Sequence, residues 1–98
     1  MAAVTLTITE TRPNTTVDFM RDDQDFIQYI QKYNHFRKRA EPAGWTTSPD
    51  LLTRTVMHTY NTRDDLITFT NDPLVAAYTD SIDLYNSTNG ITITRIQS

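Results

Sequence analysis

The amino-acid sequence predicts an α+β domain whose strands and helices follow the order β-α-β-β-α-β. Three observations predict it: threonines alternate with apolar residues near both ends, apolar residues recur at helical spacing in two segments, and turn residues separate these segments. This order is typical of the ferredoxin-like arrangement, a four-stranded antiparallel sheet with helices on one face. The 98 residues have the length of one domain, so a single ferredoxin-like domain over residues 1–98 is expected.

The first strand is predicted over Val4–Thr11, where apolar residues alternate with threonines. Val4, Leu6 and Ile8 share one side of this segment. A period of two with β-branched residues is typical of a strand with one buried face. Pro13 ends the strand.

A long helix is predicted next, from Asp22 or Asp23 to Arg39. Its apolar side is narrow but follows helical spacing, with Phe26, Ile27, Ile30 and Tyr33. Aspartates crowd the first turn and basic residues crowd the last turn, and both suit the helix dipole.

The middle of the chain predicts a hairpin. A short second strand runs from Trp45 to Thr47, residues 48–50 form the turn, and a longer third strand runs from Leu51 to Tyr60. Large side chains occur on both sides of the third strand. The pattern favours a central strand, and it leaves open which side meets the helices.

Two capped helices and a last strand complete the prediction. Thr62 caps a short helix, Arg63–Thr70. Asn71 or Asp72 caps a longer helix, in which Pro73 takes the first position and the apolar residues continue to Tyr85. Residues 86–90 form a turn cluster that ends in Asn-Gly, and the final strand follows as residues 91–96.

The composition argues against several classes of function. With 9 Lys+Arg against 12 Asp+Glu, the net charge of −3 is unsuited to sequence-independent nucleic-acid binding. The chain has no cysteine, which excludes disulfides, thiolate metal centres and cysteine nucleophiles. Only two histidines and two glycines are present, so we expect no metal and no cofactor. No apolar run approaches the ~20 residues of a membrane span, and no signal peptide is expected.

One face of the predicted sheet is left without helices. We expect that face to be semi-apolar and rich in threonine. An uncovered face of this kind favours a homodimer, packed face to face or paired edge to edge, as in a dimeric α+β barrel. The alternative is a monomer with a hydrated sheet, since threonine favours strands and tolerates water.

Six residues are candidates for a pocket or an interface. They are Trp45, Leu52, Arg54, Val56, His58 and Tyr60. His58 is either a general base or ligand facing a cavity, or a histidine that hydrogen-bonds a neighbour on the sheet. Trp45 lines a pocket, anchors an interface or packs in the core. We assign no catalytic residue, because no carboxylate has a spacing that orients His58.

The element order resembles that of the dimeric α+β barrel superfamily, which includes antibiotic-biosynthesis monooxygenase-like proteins. Residues 62–69 with the following Asp72-Pro73 are similar to a capped helix with an aromatic residue in that family, and the resemblance covers roughly the second half of the chain. Some members oxidise aromatic substrates without a cofactor, and others degrade haem. Their catalytic Asn, Trp and His residues line the barrel, and the resemblance gives such parts only to Trp45 and His58.

Two segments, residues 11–15 and 84–93, resemble small uncharacterised proteins of marine tailed cyanophages, which are rich in threonine and begin with an alternating strand. The resemblance implies a phage protein in the host cytoplasm or the virion, with a phage or host protein as a possible partner. We therefore expect a non-enzymatic, homo-oligomeric binding or accessory module. The alternative is a small dimeric monooxygenase-like or aromatic-ligand-binding protein.

Overall fold

Five antiparallel strands form one open sheet in the computed structural model, which describes residues 2–38 and 44–98. The strands are β1 (Val4–Thr11), β2 (Arg37–Lys38), β3 (Thr46–Thr47), β4 (Thr53–Tyr60) and β5 (Thr92–Gln97). The helices are α1 (Gln24–Ile30), α2 (Arg63–Thr70) and α3 (Pro73–Asn89), and a 3₁₀ helix, Gln31–Phe36, follows α1. The α+β class predicted from the sequence is confirmed.

The two longest strands lie next to each other at the centre of the sheet. β1 pairs with β4 over its whole length, from Val4 opposite Tyr60 to Thr11 opposite Thr53. β5 pairs with the other side of β1. β2 and β3 pair with opposite ends of β4 and share the far edge. The predicted hairpin of β3 with β4 is confirmed, whereas β2 was not predicted.

The first helix is shorter than the sequence predicts. The α-helix ends at Ile30, and Arg37 belongs to a strand instead of a last helical turn. Arg37 pairs with Tyr60, and the backbone N–H of Asn61 donates to the carbonyl of Phe36 at 2.8 Å. Pairing with β4 therefore replaces the helical hydrogen bonds here. Arg39, the predicted end of the helix, lies outside the described residues.

Side chains cap the starts of α2 and α3: Thr62 caps α2 as predicted, and of the two predicted candidates, Asn71 and Asp72, it is Asp72 that caps α3. Thr62 Oγ1 accepts the N–H of Asp65 at 3.1 Å, and Asp72 Oδ1 accepts the N–H of Leu74 at 2.9 Å. The end of α3 differs from the prediction, since the helix continues through the expected turn cluster to Asn89. Gly90 ends it with a φ of 71°, a left-handed conformation that glycine adopts without a steric penalty.

The helices lie on one face of the sheet. Asn86 of α3 hydrogen-bonds Glu10 of β1, and the Phe69 ring of α2 lies 5.8 Å from the ring of Tyr60. α1 packs on α3 through stacked rings of Phe26 and Tyr78, with centroids 3.9 Å apart. The buried apolar residues are few: Val56, Tyr60, Leu66, Val75 and Ile91. None of the described helices is long and apolar enough to cross a bilayer.

Candidate interaction surface

The face of the sheet opposite the helices is covered mainly by threonines. Glu10 points towards the helices, so strand alternation turns its neighbours Thr9 and Thr11 the other way. The residues of β4 and β5 that lie opposite these threonines point to the same face, away from the helices. We call this surface the threonine face. It comprises Thr5, Thr7, Thr9, Thr11, Thr53, Thr55, Met57, Thr59, Thr92, Thr94 and Ile96.

Hydroxyl groups on the threonine face hydrogen-bond across the strands. The Oγ1 atoms of Thr5 and Thr59 are 2.9 Å apart, and those of Thr11 and Thr53 are 3.1 Å apart. Such cross-strand threonine pairs stabilise a sheet. Hydroxyls that already have a protein partner lose less when water is removed. The pairing therefore lowers the cost of covering this face with another surface.

The threonine face carries no charged side chain on its three long strands, and Lys38 of β2, opposite Thr59, places one charge at its far edge. None of its residues is fully buried, and Ile96 is 61% exposed. The centres of protein interfaces are depleted of charge, because an ion that is covered without a partner loses its hydration. The composition of the threonine face is therefore compatible with a docking surface.

The area of the threonine face is small for an interface. Eight-residue strands span about 27 Å, and three strands side by side span about 14 Å, which gives about 400 Å² per chain. Two such faces packed together bury about 800 Å², below the ~1,200 Å² of most specific complexes. One copy of this face is thus smaller than the face that a typical stable dimer uses.

Four of the six candidate residues from the sequence lie on the opposite, helix-covered face, as the register and contacts of β4 show: Arg54, Val56, His58 and Tyr60. Val56 and Tyr60 are 5% and 1% exposed, so they belong to the core. Leu52 lies just before β4, and its carbonyl accepts the N–H of Arg12 at 2.9 Å. A sheet-face interface would therefore use neither Val56 nor Tyr60.

Trp45 packs against a buried ion pair. The guanidinium of Arg54 lies 3.9 Å from the Trp45 ring centroid and 4.6 Å from that of Phe19. Arg54 Nε donates to Glu10 Oε1 at 2.6 Å, and Asn86 Nδ2 donates to Glu10 Oε2 at 2.8 Å. Glu10 and Asn86 are each 1% exposed. This end of the sheet is a closed polar network in which Trp45 covers Arg54.

His58 belongs to a separate cluster at the other end of β4. Its Nδ1 lies 3.2 Å from Nη1 of Arg37. Burial, and secondarily the positive charge of Arg37, lowers the pKa of His58 to about 4. His58 lies four residues from Arg54, about 14 Å along the strand. A single chain therefore does not bring Trp45 and His58 together in one site.

Asp72 connects the start of α3 with α1 and the 3₁₀ helix that follows it. Besides capping α3, it accepts the hydroxyls of Tyr29 at 2.8 Å and Tyr33 at 2.5 Å. Lys32 Nζ lies 3.7 Å from Asp72 Oδ2 and 3.9 Å from the Tyr29 ring centroid. The hydrogen bond from Tyr33 is the main cause that lowers the pKa of Asp72 to about 2.

Asp72→Ala is expected to lower Tm by roughly 4–8 °C, the shift that loss of one helix cap gives in a domain of this size. The folded-state pKa of Asp72 is lowered from 3.8. Its contribution to stability is therefore complete above pH 3.8 and is lost as the pH falls towards 2. Asp72→Asn keeps a capping oxygen but loses the carboxylate that accepts the hydroxyls of Tyr29 and Tyr33, so its Tm at pH 7 should fall less than that of Asp72→Ala, and it should also lose this acid dependence. Thermal melts between pH 2 and 5 test both variants, and an unchanged Tm for Asp72→Ala at pH 7 would contradict the assignment.

A groove of about 290 Å³ lies between α1 and α3. It is lined by Asp23, Asp25, Phe26, Leu74, Ala77, Tyr78 and Ser81. The stacked rings of Phe26 and Tyr78 belong to its lining, and Asp23 is occupied in capping α1. Among the residues that the structure describes, no group of three or more His, Cys, Asp or Glu side chains is arranged to hold a metal ion.

Sequence reasoning missed three residues that organise the structure, namely Glu10, Asn86 and Asp72 as a tyrosine partner. Glu10 had a visible signal, because it continues the inward series of Val4, Leu6 and Ile8. A charged residue in an apolar series indicates a buried partner. Asn86 had no comparable signal, since its local sequence favours a turn.

Comparison with known proteins gives no relative for this chain: no family model, curated protein or solved structure matches it. The functional argument therefore depends on the surfaces and clusters described above. Of these, the threonine face is the broadest surface that no described helix or loop covers.

Proposed function

We propose that this chain is a non-enzymatic, homo-oligomeric binding module and that the threonine face binds further copies of the chain. The observation that carries the proposal is a sheet face without charge on its long strands, opposite the described helices. Removing such a surface from water costs little free energy, because its long strands carry no charge and its hydroxyls already bond one another.

The strand order supports a ferredoxin-like arrangement within this proposal. β1 and β4 are central, β5 flanks β1, and β2 and β3 flank β4. Two sheets of this kind packed through their uncovered faces would make a dimeric α+β barrel with the helices outside. Met57 and Thr7 pair opposite each other near the middle of the face, so they would lie at the centre of the interface.

The chemistry of the helix-covered face supports a role through surfaces. Arg54 and Glu10 neutralise each other. Burial, and secondarily the charge of Arg37, keeps the pKa of His58 near 4, so His58 is neutral at pH 7. Asp72 is occupied by helix capping and by two tyrosines. These side chains serve packing, which leaves recognition to the outer surfaces.

The biological setting in this proposal is a tailed phage, in the virion or the host cytoplasm. Its support is the resemblance of residues 11–15 and 84–93 to cyanophage proteins. A small acidic module that assembles with itself suits an accessory part of a larger phage assembly. A phage or host protein is then a second partner of the assembled module.

Light scattering after size exclusion tests the self-association. We expect the native protein to have at least twice the 11.3 kDa mass of the chain. Met57→Lys places a charge at the centre of the threonine face and should lower the assembly mass, because an unpaired ion must then be desolvated. Met57→Leu keeps the apolar volume and serves as the control.

Circular dichroism should show that both Met57 variants keep the native secondary structure. Equal masses for Met57→Lys and the native protein would remove the threonine face as the interface. A native mass of 11.3 kDa at high protein concentration would overturn the self-association itself.

A further inference from the structure

β5 is an edge strand whose outer pairing groups have no strand partner among the described residues. Thr5 and Ser98 exchange two backbone hydrogen bonds of 2.9 Å, so they form a hydrogen-bonded pair. This pair fixes which residues of β5 direct their backbone groups towards β1. Because hydrogen-bonded pairs alternate along an antiparallel ladder, the N–H and C=O groups of Thr92, Thr94 and Ile96 also point towards β1. The outward groups are therefore those of Ile93, Arg95 and Gln97.

The two edges of the sheet differ. Within residues 2–38 and 44–98, the far edge consists of β2 and β3, which are two residues each, and very short strands protect an edge from pairing. β5 has six residues, and none of them is proline or lysine. The described register of β5 with β1 also runs without a bulge. Apart from the charge of Arg95, β5 thus lacks the features that usually prevent an edge strand from pairing with another strand.

The side chains of β5 do not oppose such an addition. Arg95 is the only charged residue of the strand, and its Nη2 donates to Asp83 of α3 at 3.0 Å. Ile96 is 61% exposed on the threonine face, beside the open edge. Strand pairing across this edge would supply an apolar side chain with a cross-strand neighbour.

We propose that β5 pairs antiparallel with β5 of a second copy, with Thr94 opposite its own counterpart. The inference rests on the proposed self-association but uses a different surface, the sheet edge. Antiparallel pairing about a two-fold axis makes one surface complementary to itself. The backbone groups of Ile93 in each chain then bond those of Arg95 in the other.

The register follows from charge and overlap. The two-fold axis must bring outward backbone groups of the two copies opposite each other and let most of β5 overlap. Only two positions of the axis do so, at Thr94 and at Arg95. Centring on Arg95 places two guanidinium groups directly opposite, which is unfavourable. Centring on Thr94 places threonine opposite threonine and Ile96 opposite the counterpart of Thr92.

Edge pairing also removes the shortage of interface area. Residues directly opposite each other in an antiparallel pair point to the same face of the sheet, so the helices of both copies lie on one side of the joined sheet. The threonine face becomes continuous across the pair and doubles to about 800 Å². Two such pairs packed face to face bury about 1,600 Å², the standard size for a specific interface. The expected assembly is a tetramer with D2 symmetry.

A cysteine placed at the two-fold axis tests the register. The chain has no cysteine, so Thr94→Cys introduces a single thiol. At a non-hydrogen-bonded antiparallel pair the Cα atoms lie about 4.5 Å apart, within the range of a disulfide. We expect mild oxidation to convert most of this variant to a covalent dimer on a non-reducing gel.

Thr92→Cys is the matched control, because it is also exposed but lies about 13 Å from its counterpart in this register. It should remain uncrosslinked under the same oxidation. Failure of Thr94→Cys to crosslink, or equal crosslinking of both variants, overturns the proposed register.

A proline in the edge tests the pairing itself. Arg95→Pro removes an outward N–H and leaves the bonds between β5 and β1 intact, since proline is tolerated on an edge. Arg95→Ala removes the same contact with Asp83 but keeps the N–H. We expect Arg95→Pro to halve the assembly mass and Arg95→Ala to leave it unchanged.

The two interfaces are separable by combining variants. If Arg95→Pro keeps the native mass while Met57→Lys lowers it, the edge inference fails and the threonine-face proposal stands. If Arg95→Pro alone lowers the mass and Thr94→Cys crosslinks, the edge inference stands and the threonine face is excluded. With both interfaces present, the Met57→Lys/Arg95→Pro double variant has the mass of one chain.

Discussion

Arg54→Met is expected to lower the free energy of unfolding by about 3–5 kcal/mol at pH 7. The substitution removes the ion-pair partner of Glu10, whose side chain is only 2% exposed. The buried carboxylate then keeps Asn86 as a hydrogen-bond donor but has no positive charge beside it. Urea unfolding followed by circular dichroism measures the change, and a loss below about 1 kcal/mol would contradict a buried ion pair.

A double variant separates the ion pair from the shape of the site. Glu10→Leu combined with Arg54→Met replaces both charges by apolar groups, which is often neutral for a buried pair. We expect the double variant to recover much of the stability that Arg54→Met loses. Some loss remains, because Asn86 Nδ2 then has no acceptor and its Oδ1 already lacks a partner among the described residues.

Acidification from pH 7 to about pH 4 is expected to destabilise the fold by about 3 kcal/mol through His58 alone. Burial, followed by the charge of Arg37, lowers the pKa of this histidine from 6.5 to about 4. The unfolded chain therefore binds a proton at pH values where the folded chain does not. The contribution of His58 to stability is complete above pH 6.5 and is lost as the pH falls towards 4.

His58→Gln provides the control for this pH dependence, because glutamine keeps an acceptor for Arg37 but does not titrate. Between pH 6.5 and 4.5 its unfolding free energy should change much less than that of the native protein. An NMR titration gives a direct check, with His58 remaining neutral at pH 5. A pKa near 6.5 for His58 would refute the assignment.

Features encoded within a few residues were predictable from the sequence. Thr62 and Asp72 cap their helices because each side chain reaches an N–H two or three residues away. Pro73 is preorganised for the first helical turn. The alternation of β1 likewise follows from strand geometry alone. Such signals need no knowledge of the rest of the fold.

Features that depend on distant partners were not predictable. Residues near Arg37 have a helical charge pattern, but pairing with Tyr60 draws them into the sheet. Both sides of β4 carry large residues, so only the position of the helices shows that Val56 faces inward and Met57 outward. Four of the six candidate residues therefore lie on the covered face. An uncovered face rich in threonine was expected from the sequence, but only the structure shows which residues of β4 belong to it.

The unequal sheet edges limit how far the chain can polymerise. A strand added at β5 leaves β2 and β3 at the outer side of the new copy, and the described part of each is two residues long. Two-residue segments offer too few backbone groups to template another full strand. Elongation in the sheet direction therefore stops after one addition, and we expect concentrated solutions to stay free of fibrils. Thioflavin T fluorescence during prolonged incubation at neutral pH measures this directly.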